Sequence, residues 1–168
     1  MTKPIKGLND VEKQILETVR MLPIRVENST NTEWTAAAKN LIGNLGISLG
    51  WKICASCNNE EFENEWLYDL VWYKDDREHE LLDVGLVLEC EWDQNYRGIR
   101  YDFEKLLLSK SEYKVMIFQG DARSISMAFT KMKLSIEKFR QKSSGERYLL
   151  IALNYNEDEF QELHIVVR

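Results

Sequence analysis

Trp66-Leu67-Tyr68-Asp69-Leu70-Val71-Trp72-Tyr73 and, ten residues on, Asp83-Val84-Gly85-Leu86-Val87-Leu88-Glu89-Cys90-Glu91-Trp92 are two apolar runs with acids inside them. Their β-branched and aromatic content reads as strand. Side chains alternate between the faces of a strand, so Glu89 and Glu91 share one face. Pairing of the two runs as a hairpin would bring Asp69 beside them. Three carboxylates would then converge at a sheet end. A carboxylate set into an apolar strand is costly unless something compensates it. A hard divalent cation such as Mg²⁺ is the simplest compensation.

The rest of the chain builds around this hairpin. Val11, Ile15, Val19 and Leu22 form one stripe of a helix over 9–22, capped by Asn9 or Asp10 and ended by Pro23. A second helix runs from Thr32 to Leu45, with Thr32 as N-cap and Gly46 as its stop. Its Ala36, Ala37, Ala38 and Gly43 permit close packing on a sheet. Residues 47–55 read as a strand and 58–64 as an acidic turn. After the two acid-bearing strands, a helix passes through 101–108 and a buried strand through 113–118. A long amphipathic helix over 123–142 follows, then strands near 147–154 and 161–167. A strand–helix–strand unit after a meander predicts an α/β fold with a mixed central sheet flanked by helices. The expectation is a single domain over 1–168.

With 168 residues the chain is long enough for one sizeable core. No apolar run is long enough to cross a bilayer, and the N-terminus lacks the apolar core of a signal peptide. Three cysteines fit a reducing compartment, so a cytoplasmic protein without a membrane partner is expected. The net charge of −6 is uneven: residues 1–96 carry −9, 97–147 carry +6 and 148–168 carry −3. The basic middle third suits a phosphate backbone, or is a solvated helix face. Arg123, Lys131, Lys133, Lys138, Arg140 and Lys142 all lie off the apolar stripe of the long helix.

Other signals are weaker. Cys54-Ala55-Ser56-Cys57 lacks a second ligand pair for zinc, and its acidic neighbours disfavour a thiolate. Gly43, Gly46 and Gly50 lack the lysine–hydroxyl ending of a phosphate loop. His79 and His164 have no nucleophile pattern around them.

The order of elements, with an acid at the second strand and Glu-x-Glu in the third, resembles the core of the PD-(D/E)XK phosphodiesterase superfamily, the restriction-endonuclease-like fold. The resemblance covers 33–118, leaving the helix over 9–22 and the helix and two strands over 123–167 as additions. Asp69 is similar to the family's strand aspartate, although Tyr68 precedes it where proline is usual. Glu89-Cys90-Glu91 is similar to the (D/E)-x-K element, with Glu91 in the lysine position. Some members carry glutamate there, and in others the lysine has moved to the following helix, which Lys105 could supply. Glu33 matches the helical glutamate that often precedes the first strand. The resemblance implies Mg²⁺- or Mn²⁺-dependent hydrolysis of phosphodiester bonds in DNA or RNA. Asp69, Glu89, Glu91 and Glu33 would hold the metal, and Asp69, Glu89, Glu91 and Lys105 would carry catalysis. Two alternatives stand beside this. Glu89 and Glu91 could lie in water or pair with Arg97 or Arg100. The fold could also serve as a non-catalytic interaction or inhibitor module for a protein partner, and a homodimer is open.

Overall fold

A computed structural model describes residues 7–22, 29–93 and 95–168. Helix α1 (Asp10–Val19) is followed by α2 (Asn31–Ser48) and the meander β1 (Lys52–Ala55), β2 (Leu70–Asp75) and β3 (Leu81–Glu91). Then come α3 (Tyr96–Leu108), β4 (Tyr113–Gly120), α4 (Ala122–Lys138), β5 (Arg147–Asn154) and β6 (Glu159–Val166).

All six strands lie in one sheet, in chain order. β1, β2 and β3 are antiparallel neighbours. β3, β4 and β5 are parallel, with α3 and α4 as the crossovers. β6 returns antiparallel along β5. The expected mixed sheet flanked by helices is therefore present.

Strand alternation divides the core into two. Leu86, Leu88 and Cys90 of β3, with Val115 and Ile117 of β4, face α1 and α2. Val87, Met116, Phe118 and Leu150 face α3 and α4. Since both faces are covered, β4 and β5 are continuous apolar runs without alternation.

Several boundaries differ from the sequence expectation, for identifiable reasons. α2 begins after Thr30, not Thr32: the Thr30 hydroxyl accepts from the Glu33 N–H, and the Glu33 carboxylate accepts from the Thr30 N–H. This is a capping box, legible as Thr30-x-x-Glu33. Gly46 does not stop the helix. It lies inside α2, where a Cβ would sit 2.5 Å from Trp72 Nε1 and 2.6 Å from Ile53 Cδ1. Its hydrogen lets α2 settle on the sheet, and Trp72 Nε1 donates to the Ile42 carbonyl at 3.1 Å. The chain turns instead at Gly50, whose φ is +83°. The strand expected over 47–55 is consequently only Lys52–Ala55. Residues 66–69 precede β2, so Asp69 lies one residue before the strand. The helix expected over 101–108 begins five residues earlier, at Tyr96, and the long helix ends at Lys138. β6 starts two residues earlier than expected. Pro23 lies outside the described residues.

Gly46→Ala is expected to destabilise the protein by about 1–3 kcal/mol, since a methyl group cannot fit without moving Trp72 or α2. A urea midpoint equal to that of the wild type would contradict this packing.

Candidate functional site

Glu89 lies near the C-terminal end of β3, where the parallel strands β3 and β4 point towards the start of α3. The carboxyl ends of parallel strands are the usual ligand side of an α/β sheet. The pairing of Leu70 with Leu88 brings Asp69 alongside Glu89 and Cys90. Asp69 Oδ2 accepts the Cys90 N–H at 2.8 Å, which fixes its carboxylate against β3.

Two lysines complete the group. Lys105, on α3, places Nζ 2.7 Å from Glu89 Oε1 and 3.1 Å from Asp102 Oδ1. The Tyr68 hydroxyl donates to the Lys105 carbonyl at 3.4 Å, tying α3 to the residue before Asp69. Lys39, on α2, is only 6 % exposed. Its Nζ lies 2.6 Å from Glu65 Oε2 and 3.3 Å from Asp69 Oδ1. Burial alone would lower both lysine pKa values, but the facing carboxylates more than reverse this and raise them.

Glu89 is the most constrained member. It is 1 % exposed. The Lys105 ammonium is the close polar partner of its Oε1 among the described residues. Burial, reinforced by the Asp69 and Asp102 charges, pushes the Glu89 carboxyl up to about 8 despite Lys105. Glu91, on the same face of β3, sits against the start of α3. Its Oε1 accepts the Asp93 N–H at 2.7 Å. Burial raises its pKa, and Asp102, close enough to share a proton with it, raises it further. Gly98 makes room for this: a Cβ there would sit 3.0 Å from Glu91 Oε2.

Of the residues singled out from the sequence, Asp69, Glu89, Glu91 and Lys105 come together. Glu33 does not join them: it is exposed, and its carboxylate is engaged in the α2 capping box. Arg100 pairs with Glu104 at 2.7 Å and not with the strand acids. Two members were missed. Asp102 was legible as the i−3 neighbour of Lys105 on one helix face. Lys39 offered only a lysine beside Ala38 on a helix face otherwise built of small and apolar residues. The cysteines form no cluster: Cys54 and Cys57 face different cores, and burial pushes the Cys54 thiol up to about 11.

Among the described residues, no three His, Cys, Asp or Glu side chains form a ready-made metal cage. Mg²⁺ does not require one. It commonly binds through one or two carboxylates and keeps its waters or takes substrate phosphate oxygens. Asp69 and Glu89 supply two hard carboxylates, each facing a lysine ammonium that a cation would have to displace. This donor set fits a hard divalent cation.

No protein-family model matches the chain, and neither does any curated protein or solved structure. The fold is a three-layer α/β architecture with a carboxylate–lysine cluster at one sheet end, gathered between α2 and α3. No helix among the described residues is long and apolar enough to cross a membrane.

Proposed function

We propose that the protein is a divalent-metal-dependent phosphodiester hydrolase acting on nucleic acid, built on a restriction-endonuclease-like core. The observation that carries this reading is the Lys105 ammonium 2.7 Å from the buried Oε1 of Glu89. A lysine from the following helix thus reaches the acid cluster that Glu91 leaves without an adjacent strand lysine. The meander, the β3–α3–β4 crossover and an acid just before β2 support the same core.

Asp69 and Glu89 would hold Mg²⁺ or Mn²⁺. A bound divalent ion lowers the pKa of its water and offsets charge on the phosphate. Asp69 is held in place by Lys39 and by the Cys90 N–H of the neighbouring strand. Lys105 is a compact cation whose ammonium can turn from Glu89 to a phosphate oxygen, offsetting the charge that builds there. Asp102 keeps Lys105 charged and aimed during that exchange. Glu91, held by the Asp93 N–H and facing Asp102, would orient a water.

Lys105→Met is expected to lower cleavage of a mixed panel of DNA and RNA by about 100-fold or more, on the scale of losing one electrostatic stabiliser of the transition state. Mn²⁺ affinity should remain. A variant that cleaves at the wild-type rate would remove Lys105 from the mechanism.

One observation favours a second reading. Lys39 and Lys105 already compensate Asp69 and Glu89. A non-catalytic interaction module on the same fold would need nothing more. It predicts no metal binding and a stable complex with a protein partner. A purified wild type that cleaves nucleic acid, with cleavage lost in Glu89→Gln, excludes it.

A further inference from the structure

On the sheet face that carries Glu89, α3 and α4 lie over β3, β4 and β5. The segment leading into β2 shields the same face of β1 and β2. Trp66 leans on Tyr73 with ring centroids 5.1 Å apart and planes tilted by 41°. Glu63 is pinned across β1, its N–H donating to the Ile53 carbonyl and its carbonyl accepting from the Ala55 N–H. Between them is a cavity of about 530 Å³ with Cys54 and Tyr73 as part of its lining, Trp66 beside them, and Glu63, Asn64 and Asp75 among its polar groups. Alternation along β2 puts Tyr73 and Asp75 on the same side as Asp69.

Three features of this cavity define what it would take. Trp66 stays 50 % exposed, so a large flat ring borders the space. Lys52 and His79, the basic residues in the lining, both face Asp75, at 2.6 and 3.5 Å, so the space holds no free ammonium to attract a phosphate. Glu63 presents carboxylate oxygens, and Asn64 an amide that can accept or donate. A flat aromatic ligand with N–H donors on its edge fits these groups; a phosphate does not. Position adds the link to the acid cluster. Trp66 is three residues from Asp69, and three residues span at most about 11 Å.

We infer that the Trp66–Tyr73 cavity receives an unpaired nucleobase of the substrate, so that the preferred substrate is single-stranded nucleic acid and not an intact duplex. This deepens the proposed function and rests on it. A base within a duplex is stacked and paired, with its face closed to an aromatic side chain. An unpaired base can stack on one.

The test is binding without catalysis. In EDTA and low salt, a labelled mixed-sequence 12-mer, as single-stranded DNA or RNA and as blunt duplex DNA, is titrated with the protein and followed by anisotropy. Either single strand is expected to bind at least about tenfold more tightly than the duplex, within the range of one stacked base. Trp66→Ala should lose about that factor and Trp66→Phe should keep most of it, both melting like the wild type. Equal or tighter duplex binding, undiminished affinity in Trp66→Ala, or no binding to either form would overturn the inference. The outcomes separate from those of the metal reading. Tighter duplex binding with intact metal binding leaves the hydrolase reading standing. Single-strand binding that survives while metal binding is absent sinks the hydrolase reading alone.

Discussion

Glu89→Gln is expected to stabilise the metal-free protein while removing its ability to hold a divalent cation. Glu89 is buried, and burial pushes its carboxyl up to about 8 despite the Lys105 ammonium beside it. Between the ordinary value near 4.5 and about 8, the unfolded chain gives up this proton and the folded protein retains it. Folding is therefore disfavoured increasingly as pH rises through that window. Glutamine keeps the shape and carries no such penalty. Lys105 still has Asp102 at 3.1 Å and is partly solvated, so it is not stranded. The gain should be on the order of 1 kcal/mol at pH 7.5, or about 2–4 °C in melting temperature, and vanish below pH 4.5. A variant melting below the wild type at pH 7.5 would contradict this account of Glu89. Stability given up at one residue is what a functional site, as opposed to a packed core, is expected to display.

Glu12→Ala should have the opposite effect, and a larger one. Glu12 is 1 % exposed on α1. Its carboxylate takes Arg147 at 2.6 Å and His164 Nε2 at 2.8 Å, joining α1 to β5 and β6. It also accepts the Asn9 N–H at 2.8 Å as part of the α1 capping box. Burial alone would raise its pKa, but the hydrogen bonds from His164, Arg147 and Asn9 outweigh burial and bring it down to about 2. Removing the carboxylate leaves Arg147 and His164 without their shared acceptor, which costs about 3–5 kcal/mol. The melting temperature should fall by about 10 °C. The pH dependence follows from the lowered value. Stability from Glu12 is complete above about pH 4.5 and is lost as pH falls towards 2, where the folded protein must take up the proton. Glu12→Gln should lack that portion of the acid transition. An unchanged acid limb would mean the network contributes little.

The hairpin and its acids were legible because alternation is a strict geometric consequence of strand structure. Once β2 and β3 are placed, Asp69, Glu89 and Glu91 must gather at one end. Lys105 was legible through its place on the next helix. Lys39 was not, because a lysine in a helix is ordinarily solvated. Only the register of α2 on the sheet, set by the close approach of Gly46 to Trp72, turns it towards Asp69. Glu33 matched by position along the chain, but the local chemistry of a helix start claimed its carboxylate first. The Glu12–Arg147–His164 network joins residues more than 130 positions apart, and no local pattern announces such a contact.

The central claim is that Asp69 and Glu89 hold a divalent cation. The direct measurement is calorimetric titration of Mn²⁺ into the purified wild type, Asp69→Asn and Glu89→Gln at pH 7.5. The account predicts saturable binding to the wild type that both substitutions abolish. No heat of binding to the wild type at millimolar Mn²⁺, or equal binding by all three proteins, would contradict it.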